Sequence, residues 1–180
     1  VPLRSLYASN IANLFMAGRN ISASHVAFTS TRVMATCAVQ GQAIGTAAAV
    51  CARASLAPAA LVDDRAKTAE LQQVLIRDDQ TIRGVKNEDT ADLARAAKVT
   101  ASATVPDSAP ENVLTGETRD RVDPMVNPWT HRWGCPMGED VWLALEWDAP
   151  QTIGHIQLTF DSGFHRELTL TERVSYQNRM

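Results

Sequence analysis

The sequence predicts an α+β chain built from two unlike units: a strand-and-helix unit over residues 1–88 and an antiparallel β-sandwich over residues 89–180. Three observations point there. Charge changes sign along the chain: residues 1–88 hold nine Lys/Arg against six Asp/Glu, a balance of +3, and residues 89–180 hold eight against fourteen, a balance of −6. A proline-free stretch rich in Ala and Gly, Arg32 to Ala54, has the length of a helix rather than a strand. Beyond Asp92, short apolar runs alternate with polar residues and are separated by loops, which is the pattern of strands.

Composition bounds the function. A chain of 180 residues with 45% hydrophobic and 21% charged residues has enough apolar material for a packed core, which excludes wholesale disorder. A net charge of −3 argues against a broad nucleic-acid footprint. The three cysteines, Cys37, Cys51 and Cys135, form no CxxC pair and accompany no histidine cluster at ligand spacing, so no metal centre is expected. Cys37 and Cys51 read as small apolar helix residues. No apolar run is long enough for a membrane span. The chain opens on Val1, and its first residues read as the interior of a domain. The expected partner is therefore the amino-terminal half of the same, longer protein.

The elements follow in order. Val1 to Tyr7 is a short apolar segment and Ser9-Asn10 a turn; Asn13 to Gly18 is a compact apolar run stopped by glycine, predicting a buried strand. Residues 19–30, RNISASHVAFTS, are polar and read as irregular. Ser30 or Thr31 can cap the helix from Arg32 to Ala54, and Pro58 stops it. Asp63 to Asp78 predicts a second helix with Leu71, Val74 and Leu75 on one face, and Gly84 to Asp89 a linker. Lys98 to Thr104 reads as a strand, residues 105–140 as a long loop rich in proline and charge, and Val141 to Trp147 as a strand closed by the turn Asp148-Ala149-Pro150. Ile153 to Phe160 alternates strictly, with Ile156, Leu158 and Phe160 on one side, and Glu167 to Thr171 is a further expected strand.

Glycine in a helix interior costs about 1 kcal/mol relative to alanine. Small residues nevertheless line one surface of the first long helix: Ala38, Gly41, Gly45, Ala48, Ala49 and Ala52. One explanation is close packing of that surface against a sheet or another helix. The other concerns the amino end, where a strand, a Gly-Arg turn, a polar loop and a helix start would aim free N–H groups and a positive dipole at a ligand.

The run NLFMAGRNISASHVAFTSTRVMATCAVQGQAIGTAAA resembles the carboxy-terminal flavin segment of bacterial FAD-dependent oxidoreductases of the glutathione-reductase-like superfamily. The resemblance covers residues 1 to about 80. It implies that this part is the carboxy-terminal piece of an FAD-binding Rossmann-type domain. It further implies that Gly18 allows close backbone approach and that Arg19 and Asn20 lie near the phosphate or ribityl region. Arg32, Val33 and Met34 would aim helix-start N–H groups at the pyrimidine edge of the flavin. FAD is the implied cofactor, with a hydride passing from a small-molecule substrate to flavin N5. His25, in the loop facing the flavin, would act as general acid/base or bind substrate, against a structural or solvent-exposed role. Arg32 would meet an anionic substrate or the flavin, against a salt bridge at the helix start. Two departures limit the implication. Position 19 is arginine where the related Gly-Asp motif has an acid, and no Gly-rich dinucleotide fingerprint occurs in the chain. The chain is expected to supply one wall of a flavin site, with no turnover and at most weak FAD binding by itself.

DLARAAKVTASA, PENVLTGETRD and DVWLALEWDAPQTIGHIQLTFDS are similar to discoidin-like β-sandwich modules, over residues 92 to the end. Such modules often bind glycans or membrane surfaces through loops at one end, which makes Trp129, His131 and Trp133 candidates for stacking on a sugar or covering an active-site mouth, against a role for one tryptophan as a plug of the sandwich core. The chain stops at Met180, short of a complete sandwich of this type. A sugar or polyol substrate is suggested by fold-level analogy, and the alternative function is a carbohydrate-binding module on a non-catalytic scaffold.

Overall fold

The amino-terminal unit is organised by its long Ala-rich helix. The computed structural model describes residues 1–118, 131–138 and 140–160. It divides into two compact units, Val1–Glu88 and a second that begins at Asp89. In the first, a 3-10 turn (Leu3–Ser5) precedes four helices: α1 (His25–Thr31), α2 (Met34–Ala54), α3 (Pro58–Asp63) and α4 (Arg65–Arg77).

Capping explains most of the boundaries. Ser24 caps α1, its Oγ accepting the Ala27 N–H at 3.3 Å. Residues 25–31 are therefore helical, a correction to the irregular loop expected over 19–30. The hydroxyl-bearing residues placed as caps of the long helix, Ser30 and Thr31, lie instead in the last turn of α1. A 90° bend separates α1 from α2. The α2 helix ends at Ser55, whose left-handed backbone (φ 53°) lets its N–H close on the Cys51 carbonyl. Pro58 stops nothing; it opens α3 at a position where its missing N–H is harmless. Asp64 ends α3 and starts α4, its Oδ1 accepting from Ala66 N–H at 2.9 Å and Lys67 N–H at 3.1 Å.

The core is a single apolar cluster among α2, α3 and α4: Ala47, Val50, Cys51, Leu61, Leu71 and Leu75. Leu61, fully buried on the short α3, fills its centre. Leu71 and Leu75 lie at i and i+4 on α4, the shared face that the sequence pattern predicts, with Val74 half-buried at its margin. On α2 the buried residues Gln40, Ala47, Val50 and Cys51 form one stripe. The small residues Ala38, Gly41, Gly45, Ala48, Ala49 and Ala52 form the opposite surface, and all six are exposed. A Cβ built on Gly41 or Gly45 meets nothing within 4 Å. Within the described residues, close packing is thus not what these small side chains serve.

The expected strand at Asn13 to Gly18 is reduced to one antiparallel bridge, Tyr7 to Phe15, flanked by Ala8 N–H to Leu14 O (3.0 Å) and Met16 N–H to Leu6 O (2.7 Å). The run is extended but half-buried, because no further strand among the described residues lies beside it.

The second unit holds an antiparallel pair, β1 (Lys98–Ala101) and β2 (Leu143–Glu146), in the register Lys98–Glu146 through Ala101–Leu143. The ladder continues through Ser102 N–H to Trp142 O at 3.0 Å. Val99 is buried, and a 3-10 turn (Pro110–Leu114) packs against β1. This two-stranded sheet with the helices of the first unit gives an α+β chain. The alternating run Ile153 to Phe160 joins no sheet among the described residues, and Ile156, Leu158 and Phe160 are 72%, 69% and 78% exposed. The strand expected at Glu167 to Thr171 lies outside the described residues, as does Trp129.

Candidate functional site

The amino end of α2, like that of the short α3, has no side-chain cap, whereas Ser24 and Asp64 cap α1 and α4. The N-cap of α2 is Val33, a residue without a side-chain acceptor. The first backbone bond is Cys37 N–H to Val33 O at 2.9 Å. The N–H groups of Met34, Ala35 and Thr36 precede it and have no acceptor within the helix. Met34 is 88% exposed and Val33 55%, and these donors lie at the positive end of a 21-residue dipole.

Two segments flank that end. Gly18 adopts φ +87°, a conformation that L side chains rarely take, and turns the chain into the exposed pair Arg19 and Asn20. Asn20 Nδ2 reaches Met16 Sδ at 3.7 Å. On the other side, Arg32 ends α1 with its N–H on Phe28 O at 3.3 Å and its side chain exposed. Gln40 joins both segments to α2. Its Oε1 accepts from Gly18 N–H at 2.9 Å and its Nε2 donates to Thr31 O at 3.2 Å. Gly18, Arg32, Val33 and Met34 are thereby gathered around one helix end.

His25 stands apart. It is the exposed first residue of α1, and about 9 Å of helix separates it from Thr31 at 1.5 Å per residue. A cleft of about 230 Å³ lies under α1, lined in part by Ser5, Ile21, Ser24, Ala27 and Thr31. That is smaller than the roughly 300–1,000 Å³ of ordinary ligand pockets, so it is not a flavin pocket by itself. Reasoning from residue type missed Gln40. A glutamine on an Ala-rich helix carries no chemical signature, and only its burial marks Gln40.

Of the loop residues proposed for sugar stacking, Trp133 and His131 have partners within the second unit, and Trp129 lies outside the described residues. The Trp133 indole N–H donates to Ala103 O at 3.0 Å, holding the chain that continues from β1. His131 Nε2 lies 2.7 Å from Glu117 Oε2, and the two side chains are only 11% and 9% exposed. Trp147 donates to Leu93 O at 2.9 Å.

The arrangement at α2 fits a flavin in part. Open N–H donors suit an electron-rich heterocycle edge, and a positive-φ glycine beside arginine suits close approach of a phosphorylated chain. The rest of a dinucleotide site is not among these residues. Among the described residues, no single helix is long and apolar enough to cross a membrane. No curated protein and no solved structure matches the chain. Residues 1–75, which contain the Gly18 turn, the α1–α2 corner and all of α2, match the model of the FAD dependent oxidoreductase family, and the cofactor of that family is FAD.

Proposed function

We propose that residues 1–88 are the carboxy-terminal part of an FAD-binding oxidoreductase domain, and that the amino end of α2 forms one wall of its flavin site. Residues 89–180 would be an appended discoidin-like module. The observation that carries this reading is the uncapped start of α2, gathered with Gly18 and Arg32 inside the family-matched segment. FAD, when bound, accepts a hydride from the substrate. The protein groups have distinct duties. The Met34, Ala35 and Thr36 N–H groups stabilise negative charge at the helix end without needing to reorient. Gly18 keeps the turn low so that a ligand can approach the backbone, and Arg19 supplies a cation beside it. Arg32, exposed at the corner, is assigned to an anionic substrate or to the flavin edge, and His25 to substrate binding or proton handling at the far end of α1. The proposed substrate is a small alcohol of the sugar or polyol class, by fold-level analogy alone.

The test is the full-length protein. It should purify yellow, or take up FAD on reconstitution, and bleach when a substrate reduces it. A colourless product that cannot be reconstituted would sink the reading. The 180-residue chain alone should bind FAD weakly or not at all, since the Gly-rich phosphate loop is absent from it.

A further inference from the structure

Gln40 lies nearly two turns into α2 and is only 3% exposed. A buried primary amide is costly unless both its ends are hydrogen-bonded. Both are, and to backbone atoms of two segments distant in sequence: Gly18 N–H, 22 residues away, and Thr31 O, nine residues away. Gly18 opens the turn that carries Arg19. Thr31 closes α1 and precedes the Arg32–Val33 corner at which the helices bend by 90°. One side chain therefore spans the two segments on either side of the open α2 start.

We propose that Gln40 is a positioning residue of the flavin site: its amide holds the Gly18–Arg19 turn and the α1–α2 corner in fixed relation to the free N–H groups of Met34 to Thr36. The proposal rests on the flavin reading, and it adds a residue that does not itself need to touch the cofactor. An amide is suited to the task because it donates at one end and accepts at the other. A carboxylate of the same shape accepts at both. It would keep the Gly18 bond but set a lone pair against the Thr31 carbonyl.

That difference supplies the experiment, performed on the full-length protein as Gln40→Leu and Gln40→Glu. Two quantities are read: amide hydrogen exchange at Gly18, and the visible spectrum and reduction potential of the bound flavin. Gln40→Leu should speed Gly18 exchange at least about tenfold, equivalent to ~1.4 kcal/mol, and shift the flavin spectrum and potential. Gln40→Glu should keep Gly18 protected at every pH, shift the flavin spectrum and potential as Gln40→Leu does at high pH, and match wild type at low pH. Burial and the facing carbonyl raise the introduced carboxyl's pKa, so the protonated, donating form exists below that raised value and is lost as pH rises through it. The wild type should show no such transition. If Gln40→Leu does not fold, the pH profile of Gln40→Glu decides alone. Unchanged Gly18 exchange in Gln40→Leu, or an unaltered flavin spectrum and potential in Gln40→Leu and in Gln40→Glu at high pH, overturns the proposal. A wild-type protein without flavin defeats the flavin reading instead, and Gly18 exchange then still decides whether the clamp exists.

Discussion

Val33→Asp separates a helix start kept open for a ligand from one that is merely ill-capped. Val33 has φ −67° and ψ 141°, the extended conformation of an N-cap residue, and its side chain is 55% exposed. An aspartate there can accept from the N–H of Ala35 or Thr36 without backbone change. Supplying an absent cap is worth about 1 kcal/mol. A carboxylate at the positive end of the helix adds roughly 0.3–1 kcal/mol at an exposed site. Little is lost in return, because the valine is half out of the core. The expected gain of about 1–2 kcal/mol should raise the melting temperature of the first unit by several degrees, since 1 kcal/mol corresponds to about 4–8 °C in a domain of this size. Circular dichroism melts of the 180-residue chain read the gain. The flavin content of the full-length variant reads the cost, which should be severe, because the new carboxylate occupies and repels from the same N–H groups. A melting temperature that stays level or falls would show that the α2 donors are already satisfied. A stabilised variant that keeps its full flavin complement would remove the helix start from the site.

The remaining expectations concern the face and core of the first unit. Gly41→Ala and Gly45→Ala should each stabilise the 180-residue chain by about 1 kcal/mol in urea titrations, since both sit mid-helix with open space where a Cβ would go. If the small face is covered in the full-length protein, the same changes should lower its stability or flavin content. Leu61→Ala empties the centre of the α2–α3–α4 cluster and should cost about 2–5 kcal/mol in the same titration. Burial pushes the Cys51 thiol above its ordinary range, so at mildly alkaline pH a thiol reagent should modify half-buried Cys37 first and reach Cys51 only on unfolding. The raised folded value means that the Cys51 contribution to stability is present at neutral pH and lost as pH climbs through that value.

Local chemistry explains which parts of the fold were legible. The proline-free Ala/Gly run reads as a helix because nothing in it opposes one, and it is helical from Met34 to Ala54. Leu71 and Leu75 fall on the buried face because spacing by four places two side chains on one stripe. Both strands of the pair were visible, β1 as alternation within Lys98 to Thr104 and β2 as a short apolar run within Val141 to Trp147. Errors arose where two signals competed. Ser30 and Thr31 are plausible caps in isolation, but Ser24 nucleates a helix upstream and absorbs them. Pro58 reads as a stop, yet a positive-φ serine three residues earlier had already ended α2. Alternation at Ile153 to Phe160 describes a strand's pattern, but a strand also requires a neighbour, and none lies beside this run among the described residues.

Taken alone, the order of residues determined the helical stretch, its small-residue side, the Gly-Arg turn and the resemblance that names FAD, because each depends on identities a few positions apart. The tertiary structure decided two things that no spacing encodes: that the small side of α2 faces outward, and that Gln40 ties Gly18 to Thr31. Both depend on which surfaces of distant segments meet, and burial that satisfies a polar group at long range leaves no periodic trace in the chain.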